Sequence, residues 1–275
     1  MSSADDPNDV LLVDGKGVVS RLAVGSRAVG EDVYQVASDV RLEAACVVRD
    51  GCLLVFESRA SAAEEGDASR RERRHCAVAL QRSAGGFRES DRCAFHTSDA
   101  AATELSLARV CVSRGRVFCA LSGQKPVWAL DVDAAGSLRA AGDVTCDAGV
   151  RDVSAIDAAD ETLLAACLAD DTLRLFRAAS ATRLKLEPLA RVTCHSPQRL
   201  LAIGGALLVA EYYEETDSYA LWQWSTAGRS LRRVHLLVDA AHRMRANALA
   251  AAGGELLLWD GKRLRLLFIA CALRL

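Results

Sequence analysis

The chain has 275 residues, of which 51% are hydrophobic, and its 34 basic and 36 acidic residues give a formal net charge of −2. This length and composition are sufficient for one large all-β domain or two smaller ones. The near-neutral charge gives no global electrostatic argument for a nucleic acid or an acidic membrane as partner. No apolar run approaches the roughly 20 residues that span a bilayer as a helix.

The first nine residues, MSSADDPND, are polar and acidic. They lack the apolar stretch of a secretory signal and the basic amphipathic character of a mitochondrial presequence. We therefore expect residues 1–9 to be disordered and residues 10–275 to form a single domain.

A pair of short apolar runs, separated by a polar or Gly-containing break, occurs six times along the chain. The six pairs are anchored on Leu11, Leu53, Val117, Leu163, Leu207 and Leu256. A repeat of about 40–50 residues with several strands per unit is typical of a β-propeller blade. The repeat predicts a propeller in which each unit is a small antiparallel sheet.

The second repeat is longer than the others because a charged segment interrupts it. Residues 59–74 read RASAAEEGDASRRERR, which is rich in charge and contains no aromatic side chain. Such a composition favours a solvated loop between two strands. We therefore predict a loop insertion over 59–74.

Three consecutive units are complete, with four apolar runs each, and they cover residues 106–144, 150–192 and 198–238. Gly, Asp, Asn or Ser separates the runs, as expected for tight turns between strands. The following Ala-rich tract is ambiguous: residues 239–252 suit a short helix, and Ala246–Ala251 suit a strand at the crowded centre of a propeller.

The two terminal units are shorter than the others. The first leaves no room for an innermost strand, and the last stops before an outermost one. Two arrangements fit. Either about six blades form with both terminal blades incomplete, or five blades form with one blade shared between the termini. The predicted fold class is an all-β propeller of four-stranded blades, with strand edges that need covering.

One strand carries a recognisable motif. Asp170 to Phe176 reads DDTLRLF, which resembles the DGTIRLW strand of WD40 repeats, and Trp259-Asp260 is a weaker match. The Gly-His pair that opens a typical WD40 repeat is absent. The resemblance implies a rigid, non-catalytic platform that organises a protein complex.

Ten cysteines are present, and no two of them form a C-x-x-C pair. Most lie within apolar runs, where a cysteine behaves as a small buried hydrophobic residue. We predict reduced core thiols, and hence a cytoplasmic or nuclear protein. His75 and Cys76 are adjacent in a predicted strand, so their side chains point to opposite faces and do not form a catalytic pair. The sequence predicts no metal site and no cofactor.

An acidic, aromatic segment follows one predicted strand. Its residues are Glu211, Tyr212, Tyr213 and Glu214. Tyrosine is enriched at protein interfaces, so the segment is a candidate contact for a basic partner. A solvated hairpin turn and a weak cation site are the alternatives.

An arginine cluster lies within the predicted insertion. Its members are Arg70, Arg71, Arg73 and Arg74. These side chains are a candidate contact for a protein partner or for RNA. Neighbouring acidic residues offset their charge, and a solvated loop is the alternative.

The function that these features favour is a non-catalytic interaction scaffold, a propeller subunit of a multiprotein complex. One alternative is a hydrolase built on a propeller, similar to a diphthine methylesterase. A weaker alternative is an RNA-binding propeller that uses the arginine-rich loop. Other protein subunits are the expected partners, and neither a membrane nor a small-molecule substrate is expected.

Overall fold

The structure is a computed structural model. It describes residues 9–13, 17–23, 28–49, 51–60, 73–84, 86–95, 107–157, 162–179, 185–203, 206–213, 218–225, 230–237, 248–252, 255–259 and 264–268. Within these ranges every regular element is a β-strand, and no helix is long and apolar enough to cross a membrane.

The strands form six antiparallel sheets within the described ranges. The first sheet contains β1 (Asp9–Val13), β2 (Val18–Ala23) and β3 (Ala28–Gln35). The second contains β4 (Val40–Arg49), β5 (Cys52–Ala60), β6 (Arg73–Ser83) and β7 (Gly86–Phe95). The third contains β8 (Leu107–Ser113), β9 (Arg116–Leu121), β10 (Pro126–Val132) and β11 (Leu138–Thr145).

The remaining sheets follow the same order of strands. The fourth contains β12 (Val150–Asp157), β13 (Thr162–Leu168), β14 (Thr172–Ala179) and β15 (Lys185–Thr193). The fifth contains β16 (Pro197–Ile203), β17 (Ala206–Tyr213), β18 (Ser218–Ser225) and β19 (Ser230–Leu237). The sixth contains β20 (Ala248–Ala252), β21 (Glu255–Trp259) and β22 (Leu264–Phe268). The three units predicted to be complete are the third, fourth and fifth sheets.

The chain divides into two compact units. The first comprises Met1–Leu121 and Trp128–Ala141, and the second comprises Ser122–Val127 and Gly142–Leu275. In the first unit β4 contacts β8, and in the second β12 contacts β16 and β16 contacts β20. Within each unit, the first strand of a four-stranded sheet therefore lies beside the first strand of a neighbouring sheet. We call it the inner strand.

Apolar residues pack between neighbouring sheets in each unit. In the first unit, Leu54 and Phe56 of β5 pack with Val117 and Cys119 of β9. In the second unit, the corresponding core joins β13 to β17. All seven residues of β13 are buried, because a central strand of a sheet that is covered on both faces has no exposed side. The loss of apolar surface to water in these cores stabilises the sheets.

The sequence repeat aligns the short first sheet with the longer ones, and a backbone hydrogen bond agrees with this alignment. The N–H of Cys194 donates to Asp171 O at 2.8 Å, and that of Cys146 donates to Lys125 O at 3.0 Å. Each bond links the residue after a sheet's fourth strand to the turn before its third. Val36 N–H donates to Gly17 O at 3.1 Å in the same way. Leu11 of β1 is the repeat anchor that matches Leu53 of β5, Val117 of β9 and Leu207 of β17, which are all second strands. β1 is therefore a second strand, and β2 and β3 are a third and a fourth strand.

Gly17 occupies the tight turn that makes this alignment possible. Its φ is +79°, and a Cβ at this position would collide with the side chain of Val36. Glycine avoids both the unfavourable backbone angle and the collision. Because β1 is a second strand and no strand precedes it among the described residues, the first sheet lacks an inner strand there, as the sequence predicts.

Several sequence-based boundaries differ from the structure. The predicted insertion over 59–74 is shorter, because Arg59 pairs with Arg74 and Ala60 with Arg73 in the ladder between β5 and β6. The connection is 61–72, which lies outside the described residues. Asp9, predicted to be disordered, begins β1. The Ala-rich tract contains a strand, β20, and residues 239–247 lie outside the described part.

Candidate interaction site

Buried polar side chains of β12 bind the backbone of β16 in the second unit. Asp152 is fully buried, and its Oδ2 accepts a hydrogen bond from Leu200 N at 2.8 Å. Two residues along the strand, Ser154 Oγ accepts one from Ala202 N at 3.1 Å. Buried carboxylates and amides are costly unless they are hydrogen-bonded, so these contacts satisfy groups of both strands at once. They fix the register of one inner strand against the next.

A similar link joins outer strands in the first unit. Asp91 of β7 accepts hydrogen bonds from Leu138 N at 2.7 Å and from Arg92 N at 2.8 Å. These backbone donors hold the pKa of the Asp91 carboxyl below its usual value, because they stabilise the charged form. The second and third sheets are therefore joined at their outer strands by a charged side chain.

Two buried glutamates occupy the same position in different sheets. Glu57 pairs with Leu42, and Glu211 pairs with Pro197, each just before a bulge in the inner strand. The carboxylate of Glu57 accepts hydrogen bonds from Tyr34 Oη at 2.9 Å and from an Arg92 guanidinium nitrogen at 2.8 Å.

Burial of Tyr34 and the hydrogen bond from its hydroxyl to Glu57 raise the pKa of that hydroxyl. Glu211 accepts a hydrogen bond from His195 N at 2.8 Å. Each glutamate thus binds the chain that enters its sheet.

The acidic, aromatic segment predicted as a contact is divided between core and surface. Glu211 is only 3% exposed, and Tyr212 is half-buried. Tyr213 ends β17, and Glu214 lies outside the described residues. The buried carboxylate of Glu211 acts within the fold, and a partner contact by the rest of the segment stays a prediction. The signal that separates Glu211 from its neighbours is its match to Glu57 in the parallel runs LLVFE and LLVAE.

The arginine cluster lies only partly within the described residues. Arg73 and Arg74 belong to β6, and Arg70 and Arg71 lie outside the described residues. The connection from β5 to β6 joins second and third strands, as does the connection from β17 to β18. Both predicted contact segments therefore adjoin corresponding connections of their own sheets.

Sequence reasoning does not identify a polar group across β4, β5 and β6. His75 is 3% exposed and lies directly opposite Ser58 in the ladder. Ser58 is fully buried, and its Oγ donates to Glu43 Oε1 at 2.7 Å. The Ser58 hydroxyl is thus hydrogen-bonded to a carboxylate within the core. Cys76, the neighbour of His75, is only half-buried, in keeping with opposite orientations of the two side chains.

The nine cysteines of the described part are free thiols. Burial raises the pKa of Cys46 to about 12 and that of Cys146 to about 11. Burial also raises the pKa values of Cys119 and Cys167 well above the ordinary value. A thiol held protonated is a poor nucleophile and a poor metal ligand. No group of three or more His, Cys, Asp or Glu side chains in these ranges is arranged to hold a metal ion.

The incomplete first sheet leaves a distinctive surface in the first unit. Among the described strands, β1 pairs only with β2. Leu42 and Ala45 of β4 pack towards the first sheet; they lie on one face although they are three residues apart, because a bulge lies between them. Val47 is two residues beyond Ala45 and therefore faces the same way. Val47 is 50% exposed and is the only large hydrophobic residue exposed in the described part.

The ladders identify the counterparts of Val47 on the other inner strands. They are Val112 of β8, Ala155 of β12 and Ala202 of β16, and each is half-buried. β8 and β16 each have a preceding inner strand beside them, β4 and β12 respectively. Val47 faces the position where the first sheet has none among the described residues. We call β1 and Val47 the open edge.

Comparisons with known proteins address the fold. No protein-family model matches this chain, and no curated protein matches it. The chain is similar to the crystal structure of a protein from Lactobacillus plantarum, with 12% sequence identity and a TM-score of 0.57. That match covers 91% of this chain and 76% of the other. The neighbour is propeller-like, which together with the repeated four-stranded sheets confirms a β-propeller-like fold.

Proposed function

We propose that this protein is a non-catalytic interaction scaffold, a propeller subunit of a multiprotein assembly. The observation that carries the proposal is the open edge. A strand edge with unpaired backbone groups favours pairing with another chain, and an exposed apolar side chain beside it favours the same contact. Among the described residues, both features lie in the first unit: β1 has a partner strand on one side only, and Val47 is exposed.

Four acidic side chains that form hydrogen bonds between strands or sheets support the same function. Asp152, Asp91, Glu57 and Glu211 each bind backbone or side-chain donors that connect separate strands or sheets. Because these carboxylates fix strands and sheets within each unit, they favour a rigid surface in each unit that presents fixed shapes to partners. A rigid platform binds without a large cost of ordering.

We further propose a relationship to WD40 repeats. Asp171 has a positive φ of 58° at the place where the family's DGT turn has glycine. The preceding Asp170 accepts a hydrogen bond from Thr172 Oγ1 at 2.6 Å and a contact from Arg191 at 3.2 Å. This turn between β13 and β14 has the chemistry of the family motif in a variant sequence.

The proposal includes partners and location. Other protein subunits are the partners, the segment Tyr212–Glu214 and the arginines around 70–74 are secondary contacts, and the compartment is the cytoplasm or nucleus. The nine free thiols among the described residues support a reducing compartment.

Isolation of the protein from the cells that make it tests the scaffold proposal. Tagged protein at its native level should elute from a sizing column with defined protein subunits in fixed ratio. Combined replacement of Arg70, Arg71, Arg73 and Arg74 by Ser should weaken a secondary contact without unfolding the chain. A protein that elutes alone at its monomer mass under mild conditions contradicts the scaffold proposal.

A further inference from the structure

We propose that the open edge receives an extended segment of a partner protein, which pairs antiparallel with β1 and becomes the inner strand of the first sheet. This inference rests on the scaffold function proposed above and specifies the partner's chemistry. Every four-stranded sheet has an inner strand antiparallel to its second strand, and by the repeat alignment β1 is a second strand. The missing position therefore has a fixed direction and register.

The second unit shows which side chains an inner strand needs. β12 provides Asp152 and Ser154, two residues apart, and they accept hydrogen bonds from Leu200 N and Ala202 N of the next inner strand. The β4–β5 ladder and the β16–β17 ladder can be superposed by matching Glu57 to Glu211. In that superposition Ala45 N and Val47 N of β4 take the places of Leu200 N and Ala202 N of β16. A strand in the open position lies beside these amides as β12 lies beside β16.

The expected segment thus carries small polar acceptors, Asp or Ser, at two alternating positions, and an apolar residue two positions further on the same face, as Ile156 follows Ser154. On the same face as the acceptors, an apolar residue at the position of Ile156 covers Val47, the exposed valine of β4, as Ile156 packs with Ala202 in the second unit. Backbone pairing with β1 provides affinity, and the acceptors two residues apart provide specificity. A long or charged side chain facing Val47 would be disfavoured, because an unpaired charge would lose its hydration against an apolar surface.

A synthetic peptide copying residues 150–157, VRDVSAID, is the probe, because it has this pattern. Fluorescence anisotropy with the full-length protein should show saturable binding. Val47→Asp should weaken it about 10-fold or more, the effect expected for a charge placed in an apolar contact. Ala140→Asp, a change at an exposed position of the outer strand β11, should leave binding unchanged. A peptide with Pro at the position of Ser154 should not bind, since it lacks both the serine acceptor and a backbone N–H on the ladder side of the strand.

Hydrogen exchange locates the bound peptide. Protection should rise in residues 9–13 of β1. Equal binding to wild type and Val47→Asp, or protection confined to β13, the natural partner of β12, would overturn the proposal.

Other occupants of the open edge give different results. If wild type forms a dimer that Val47→Asp dissociates, a second copy is the occupant. If the peptide binds only to a chain ending at residue 268, the chain's own residues 269–275 are the occupant. Each result overturns the partner-strand proposal.

The native complex separates this inference from the scaffold function. If native complexes persist and resist Val47→Asp while the peptide does not bind, the scaffold function stands and the open-edge inference fails. If no complex exists, the scaffold function fails whatever the peptide does.

Discussion

The Asp152 carboxylate lies 2.8 Å from the backbone nitrogen of Leu200, 48 residues away in the sequence. It connects two inner strands whose backbones do not form a common ladder. Its other oxygen accepts a hydrogen bond from Val153 N at 3.0 Å. One side chain therefore satisfies two amides and sets the distance between neighbouring sheets.

Replacement of Asp152 tests this link. Asp152→Ala removes the acceptor of two amides and should lower the free energy of unfolding by about 1–3 kcal/mol, the cost of leaving a buried donor unsatisfied. Urea denaturation followed by tryptophan fluorescence measures the change. Asp143→Ala, at an exposed position of β11, is the matched control and should have little effect. Equal stability of the two variants would show that the link contributes nothing.

Glu211 offers a test of its role within the fold. Glu211→Ala should destabilise the protein by about 1–3 kcal/mol, because His195 N loses its buried acceptor. Glu211→Gln keeps an acceptor oxygen and should recover part of that loss. Thermal unfolding of both variants gives the comparison. If Glu211→Ala reduces partner binding at unchanged stability, the residue is a contact and not a structural link.

The ion cluster around Asp131 predicts a dependence of stability on pH. Burial raises the pKa of Asp131, but hydrogen bonds and ion pairs from Arg116 and Arg139 lower it by more, so the folded pKa lies below the ordinary value. The group therefore stabilises the fold above about pH 4, near the unfolded pKa, and this contribution disappears as pH falls through the lower folded pKa.

Asp131→Asn should reduce stability at pH 7 by up to about 1 kcal/mol, because the carboxylate is partly screened. The difference from wild type should shrink below pH 4. Unfolding curves at several pH values measure it, with Asp143→Asn as the exposed control. A difference that stays constant down to pH 2 would exclude titration of Asp131 as its cause.

The buried thiols should be chemically inert in the folded protein. Burial raises the pKa of Cys194 to about 12, and Cys119 and Cys167 are buried with pKa values well above the ordinary one. At pH 8 these thiols should react with iodoacetamide far more slowly in native than in denatured protein, since the thiolate is the reactive form. Mass spectrometry of the labelled peptides measures each site. Rapid native labelling of Cys167 would contradict its burial.

The sequence predicts much of the strand pattern correctly. The four runs within residues 150–192 correspond to β12–β15, because apolar runs bounded by turn residues have few other solutions. It also predicts that the first sheet lacks an inner strand, and none is present among the described residues. It places the loop boundary at Arg59 and Arg74 incorrectly, because charged residues also pair in a ladder when their neighbours continue it.

The candidate site was only partly predictable, because it depends on contacts between distant segments. Glu211 belongs to an acidic, aromatic run that is typical of a surface turn, yet its carboxylate is buried against His195 N. Val47 belongs to an apolar run like any buried valine, yet it is 50% exposed. Only the position of a neighbouring strand distinguishes these cases.

The amino-acid sequence by itself determined the all-β class, the repeat and most of its strands, because alternation and turn chemistry act over a few residues. The tertiary structure alone decided which carboxylates connect sheets and where the open edge lies. Those properties depend on residues such as Asp152 and Leu200, which are far apart in the chain and meet only after the sheets have packed. Side-chain hydrogen bonds between sheets have no local sequence signal, and the burial of a strand depends on what lies beside it.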